Sequence, residues 1–490
     1  MVSHPDDIEE QWVDDIELEW AVEDEGLQDH SENENLLLST EDEPSIPAPK
    51  PPARATAFLD GLRGLACFLV YMSHQHPSWY SSHDILHEGF GYHGRTAFAT
   101  FPFLRIFFNG GNAAVAIFFV LSGYVLSAGP LRLIRDGDTA AAHRRLLSAV
   151  IRRPFRLYIP ALTIALSFVF IMHLPFGLAP VLEWPVPQDS LLLELRNWVY
   201  ETALLMNPFI KHGSFTQWYP YDPPAWTMPI EFTGSLLVYS MLAVTAFVPR
   251  YRMSLFSITG IIFLFIKQWS MSCFMGGVAL AINDLDGIDR VLIKRFSNRV
   301  TNVVYNVLFV LAWWIVCQPS DKHDDPELSY NTPGWYYMTM LIPAMYFKDE
   351  YWRFWNTPGA ILLVYAVLRL KWLQSFFTTR WLKYLGRISF SLYLLHIPFL
   401  WTVGDRIERM FGRVPGDIRT WFDYKLAIPD AGPIGFSTGF LVSQAFIFPL
   451  TMLLAELGTR ILDEPSIRVG RAIVARFAPS LEKSSSQVRV

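Results

Sequence analysis

The chain has 490 residues, of which 51% are hydrophobic and only 18% charged, against about 25% charged in an average soluble domain. Mean hydropathy is +0.23, and the apolar residues come in long blocks separated by polar stretches. These features exclude a soluble domain with one large core and point to an all-α, polytopic membrane bundle with no nucleic-acid partner.

The net charge of −6 hides an asymmetry. Residues 1–50 hold 17 Asp or Glu and one Lys, which leaves 39 Lys and Arg against 29 acids in the rest. Residues 1–56, ending in the Pro-rich EPSIPAPKPPARA, read as an acidic disordered tail. No basic region precedes an apolar core there, so the tail is not a signal peptide. A membrane domain over 57–470 and a C-terminal tail over 471–490 complete the division.

A spanning helix needs about 20 mostly apolar residues. Ten segments qualify in chain order: 57–73, 111–129, 157–174, 229–248, 255–267, 269–283, 301–318, 356–370, 388–403 and 435–456. The fifth and sixth share a tight turn around Lys267. Tyr336–Phe347 is apolar but short and contains Pro343, which suits a re-entrant or interfacial segment. Every basic cluster follows an even-numbered span, including the connection RLIRDGDTAAAHRRLLSAVIRRPFRLY with its seven arginines. The positive-inside rule then puts both termini in the cytosol. Two connections on the other side, 74–110 and 175–228, are long and rich in Trp, Tyr, Phe and Pro. They are expected to lie at the interface and cover a pocket.

The three cysteines, Cys67, Cys273 and Cys317, lie in apolar segments without a CxxC pair, so neither a disulfide framework nor a metal site is expected. The first span, FLDGLRGLACFLVYMSH, is unusual in carrying Asp60, Arg63 and His74. Arg63 and His74 are eleven residues apart, about 16 Å of rise and about 20° of net turn, so they share one stripe. Asp60 is close to the same face and can pair with Arg63. Gly61 and Gly64 thin the helix there and admit a neighbour. A charge at membrane depth costs at least about 2.5–3.5 kcal/mol, so such residues usually face a bundle interior with a task. The functional reading is an Arg that binds an anion and a His that moves a proton. The alternative is an Arg snorkelling to the interface and a His at the wet end of the helix.

These residues resemble the first-helix signature of the acyltransferase 3 family of integral membrane acyltransferases, with its Arg-x(10)-His spacing. Further segments are similar to the family's motifs in the same order: GNAAVAIFFVLSGYVLS at 111–127, IRRPFRLYIP at 151–160 with Ile159 inserted before Pro160, PAWTMPIEF at 224–232 with Pro229 inside it, FMGGVALA at 274–281, and LGRISFSLYLLHIP at 385–398. The resemblance covers about 57–470. It implies transfer of an acyl group, commonly acetyl, from acyl-CoA to a hydroxyl of a carbohydrate, lipid or small metabolite. Alcohol attack on a thioester needs a base and benefits from donors at the developing oxyanion. The donor is already activated, so no metal is expected.

The resemblance also implies roles. His74 becomes the general base, and imidazole titrates near neutral pH. Arg63 holds the CoA pyrophosphate or pantetheine region, or organises the pore, with Asp60 steering it. Arg152, Arg153 and Arg156 contact CoA phosphates, or serve only as positive-inside anchors. Glu231, expected at the non-cytosolic end of the fourth span, orients His74 or the acceptor hydroxyl. His396 is a pocket residue or a structural hydrogen bonder, and Tyr393, one turn earlier, shares that pocket. His76 reads as interfacial, and Ser122 as helix-packing glue. Two rivals remain: a transporter or channel using the intramembrane Arg and His as an ion path, and an inactive scaffold or sensor.

Overall fold

In the computed structural model the described residues are 56–80, 88–175, 177–180, 185–207, 219–320, 326–348 and 350–481. The acidic tail, apart from Thr56, lies outside them, as do 482–490 and parts of both long connections (81–87, 181–184 and 208–218). The described residues form helices and turns with no strand among them. The principal helices are α1 (Ala57–Tyr80), α2 (Gly111–Arg135), α3 (Thr139–Met172), α4 (Leu191–Met206), α5 (Thr227–Thr245), α6 (Arg252–Phe265), α7 (Trp269–Asp286), α8 (Asn298–Val316), α9 (Arg353–Arg369), α10 (Lys371–Phe377), α11 (Arg380–Phe399), α12 (Asp405–Met410), α13 (Thr438–Gly458) and α14 (Glu464–Phe477).

Each of the ten expected spans falls largely on one of these helices, but among the described residues only five helices are long and apolar enough to cross a membrane by themselves: α2, α3, α5 with the turn before it, α8, and α13 continued into α14. Three of the others fall short for identifiable reasons. Asp60, Arg63, His74, Gln75 and His76 dilute the apolar content of α1. Helix α6 has 14 residues, about 21 Å against a hydrocarbon core of about 30 Å. It meets α7 at the expected tight turn, where Lys267 has φ 62°. Helices α9 and α10 qualify only together and are bent by 97° between them. Tyr336–Phe347 forms a short helix (Tyr336–Met340) and a 3-10 turn (Ala344–Tyr346) on either side of Pro343. The tail expected from 471 begins inside α14, which continues to Phe477.

The core is built on α1, α2, α7, α9 and α11. Helix α8 stands at the rim and turns Val303, Val307 and Val310 outward, as α6 does Ile258, Ile261 and Phe265. All three cysteines are free and buried.

Glycine sets the closest helix contacts. A Cβ on Gly64 would stand 2.6 Å from the Gly386 nitrogen and 2.6 Å from the Leu382 oxygen, and one on Gly386 would collide with the Asp60 carbonyl. Helices α1 and α11 therefore touch backbone to backbone. Gly386→Ala should cost about 1–3 kcal/mol through overpacking. The test is the melting temperature of the purified protein in detergent; an unchanged value would contradict the contact.

Candidate active site

The Gly64–Gly386 contact sets the register of the two helices. Cys67 Sγ donates to the Ser389 carbonyl at 3.2 Å, and His396 Nε2 lies 3.3 Å from His74 Nδ1. Both contacts join residues 322 positions apart, the same offset as Gly64 to Gly386. Helices α1 and α11 thus run parallel, and ten residues beyond the glycines, about 15 Å of rise, they bring two histidines face to face. The ring centroids are 5.0 Å apart. His396 is buried, and His74 is half-buried.

The bonding pattern assigns the protons. His396 Nδ1 faces the Leu392 carbonyl at 3.2 Å, so that nitrogen carries the proton and Nε2 a lone pair. His74 Nδ1 faces both this lone pair and the Val70 carbonyl, the latter at 2.9 Å. Two acceptors around one nitrogen place the proton on His74 Nδ1. His74 Nε2 is then a lone pair, the form a general base requires.

Arg63 lies elsewhere on the stripe. It donates to Asp60 at 2.9 Å and lines a cavity of about 540 Å³ whose walls also include Asp60, Ser122, Arg153, Arg156, Glu231, Lys383, Arg387, Tyr393 and Asp463. His74 is not among the lining residues. Tyr393 also lines it, and its ring centroid is 6.1 Å from that of His396, so the histidine pair neighbours a residue of the cavity wall. Thr227 Oγ1 lies 3.2 Å from the Tyr393 hydroxyl, and Phe118 packs edge-on against the ring.

Glu231 is not paired with His74. Its two oxygens accept from Ser122 Oγ at 2.7 Å and from Arg153 Nη2 at 2.8 Å. The glutamate, near the N-terminal end of α5, therefore pairs with the basic stretch of α3 rather than with the base. Pro229 falls in the first turn of α5, where its missing N–H breaks no helical bond. Ser122, expected only to pack helices, is a hydrogen-bond partner of this carboxylate. Arg152 does not line the cavity; its backbone packs against Gly470 of α14. His76 is buried rather than interfacial, with its ring nitrogens near the Met72 and Gly435 carbonyls and its ring stacked on Phe440.

The cavity wall carries five cations and three acids. Arg63 and Arg153 are paired with Asp60 and Glu231, and Arg387 pairs with Glu456. Arg156 and Lys383 are exposed, and among the described residues neither has a salt bridge. Lys383 and Arg387 belong to the basic cluster that follows the eighth expected span. Their place on the wall comes from α11 lying against α1. Apolar side chains such as Val115, Phe119, Val125, Leu126 and Leu157 line the interior. The chamber therefore combines exposed cations, an apolar lining and a phenol that neighbours two imidazoles.

Comparison with known proteins gives a concordant result. The family described as an acyltransferase domain matches residues 56–455. The O-acetyltransferase PaAT-1 of Phomopsis amygdali is 30% identical over 455 residues, covering 88% of this chain and 86% of that protein. Acyltransferase R4 of a Phoma species is 21% identical, covering 86% of this chain and 96% of the relative, and acyltransferase clz18 of Cochliobolus lunatus is 19% identical, covering 86% and 95%. No solved structure matches the chain. By the family match and the relative at 30% identity, the chain belongs to the acyltransferase 3 family and is an O-acyltransferase.

Proposed function

We propose that the protein transfers an acyl group, acetyl in the first instance, from acyl-CoA to a hydroxyl of a small acceptor, within a membrane-embedded bundle of ten crossings with both termini in the cytosol. The observation that carries this reading is the His74–His396 pair beside Tyr393, which lines a cavity with exposed cations on its wall. The name of PaAT-1, an O-acetyltransferase, supports acetyl as the group transferred. The parallel run of α1 and α11 suits a first and a ninth crossing.

The CoA nucleotide would dock at the mouth, where Arg156 and Lys383 offer charge to its phosphates. Pantetheine would thread the apolar interior and bring the thioester to Tyr393. His74 Nε2 would take the acceptor's proton as the new C–O bond forms at the thioester carbon. The Tyr393 hydroxyl is placed to donate to the developing oxyanion. Collapse of the tetrahedral intermediate breaks the C–S bond, and the proton held by His74 passes to the leaving thiolate. His396 holds His74 in the required tautomer and shares its charge. Atoms balance without a covalent enzyme intermediate or a metal.

The test is release of free CoA from acetyl-CoA by the purified protein supplied with extract of its host. In that assay Arg156→Ala/Lys383→Ala should raise the KM for acetyl-CoA about tenfold or more and flatten its salt dependence, with kcat little changed. An unchanged KM would remove the mouth as the phosphate site.

A further inference from the structure

Two carboxylates lie on either side of Tyr219 and Tyr221, and they are treated differently. Glu194 of α4 is buried, and its oxygens are satisfied by the Tyr221 hydroxyl at 2.6 Å, the Gln188 amide at 2.6 Å and the His173 ring at 3.2 Å. It is a structural clamp. Asp222 is completely buried, and neither of its oxygens has a hydrogen-bond partner among the described residues.

The sequence Asp222-Pro223-Pro224 explains the vacancy. An Asp that opens a helical turn normally accepts from the amides two or three residues on. Here the residue two on is Pro224, which has no N–H, as Pro223 before it has none, and the Ala225 amide, three on, donates to the Asp222 carbonyl instead, so the side chain caps nothing. Nor does a cation compensate. Arg353, which like Asp222 is within electrostatic reach of Tyr393, is bonded to Glu350 and stacked on Trp269. Burial pushes the Asp222 carboxyl well above the ordinary range, which favours the neutral acid with one donor and one acceptor.

Its location ties it to the reaction. The turn Pro223–Trp226 packs against α11, and Thr227 just after it meets the Tyr393 hydroxyl. We propose that Asp222 is an acceptor-recognition residue whose carboxyl group exchanges hydrogen bonds with a second hydroxyl of the acceptor, so that the enzyme selects diols and polyols over monoalcohols. A donor–acceptor pair on the protein matches a donor–acceptor pair on an alcohol, and a site built for a hydroxyl rejects the analogue lacking it. This inference rests on the acyl-transfer reading above.

The probes are acetyl-CoA with trans-cyclohexane-1,2-diol or with cyclohexanol, given to the wild type, Asp222→Asn and Asp222→Leu. The wild type should favour the diol by at least about tenfold in kcat/KM. Asp222→Asn, which keeps a donor and an acceptor, should retain part of that preference, and Asp222→Leu should erase it. The KM for acetyl-CoA should stay within about twofold in all three, and Asp222→Leu should melt no lower than the wild type, because it replaces an unbonded buried polar group. A diol preference that survives in Asp222→Leu, or a lower melting temperature in that variant, would overturn the inference while leaving acyl transfer intact. If the wild type consumed no acetyl-CoA with either alcohol, the acyl-transfer reading would fall and this inference with it.

Discussion

His74→Ala should lower acyl transfer by about 10²–10⁴-fold, the span associated with a positioned general base, while the protein still inserts in membranes and purifies as the wild type does. Among the described residues the histidine makes no salt bridge, and its Nδ1 bonds only to Val70 and His396, so its removal takes away chemistry rather than scaffolding. His396→Gln should cost less than His74→Ala, because it disturbs the tautomer of His74 and leaves that ring in place. Adding His396→Gln to His74→Ala should then cost little more, as expected of residues that act as a unit. Initial rates of CoA release for the two single variants and the double variant check this. Normal turnover by His74→Ala would remove the base, and independent, multiplying losses would remove the pair.

Glu231→Ala should be strongly destabilising. The carboxylate and the Arg153 guanidinium are 14% exposed or less at their side chains, and deleting one partner leaves the other charge stranded. Such losses run to about 3–5 kcal/mol. The double variant Glu231→Ala/Arg153→Met should recover part of the loss, since no unpaired charge remains. Ser122→Ala should cost only about 1–3 kcal/mol, because Arg153 still holds the carboxylate after one neutral partner is gone. Thermal denaturation in detergent measures all of these. If the losses of the single variants simply added in the double, the pair would not be coupled in the folded protein.

Parts of this architecture are visible in the chain itself. The helical stripe of α1 follows from its apolar pattern, and Asp60–Arg63 pairing follows from a three-residue spacing. The packing role of Gly61 and Gly64 was also legible, as their contacts with Phe377 and with α11 bear out. The His74–His396 pair was not. Its two members were singled out separately, but only the equal offsets at Gly64–Gly386, Cys67–Ser389 and His74–His396 bring them together, and an offset of 322 residues leaves no local trace. Glu231 was noticed for its charge in an apolar setting, and its partners Ser122 and Arg153 sit on two other helices. Arg152 and Arg153 are adjacent in sequence, yet a helix turns neighbours about 100° apart, so one reaches the cavity and the other does not. Asp222 was passed over because its meaning lies in what it lacks: one capping amide is removed by Pro224, the other is taken by its own backbone carbonyl, and no cation replaces them.

The central claim is that this bundle brings a thioester and an alcohol together at His74. It is tested most directly by giving the purified protein isotope-labelled acetyl-CoA and an extract of its host, then locating the label by mass spectrometry. The account predicts the labelled acetyl group as an ester on a hydroxyl of an extract molecule, in step with free CoA and absent with His74→Ala. Solute movement across proteoliposomes without any consumption of acetyl-CoA would contradict it.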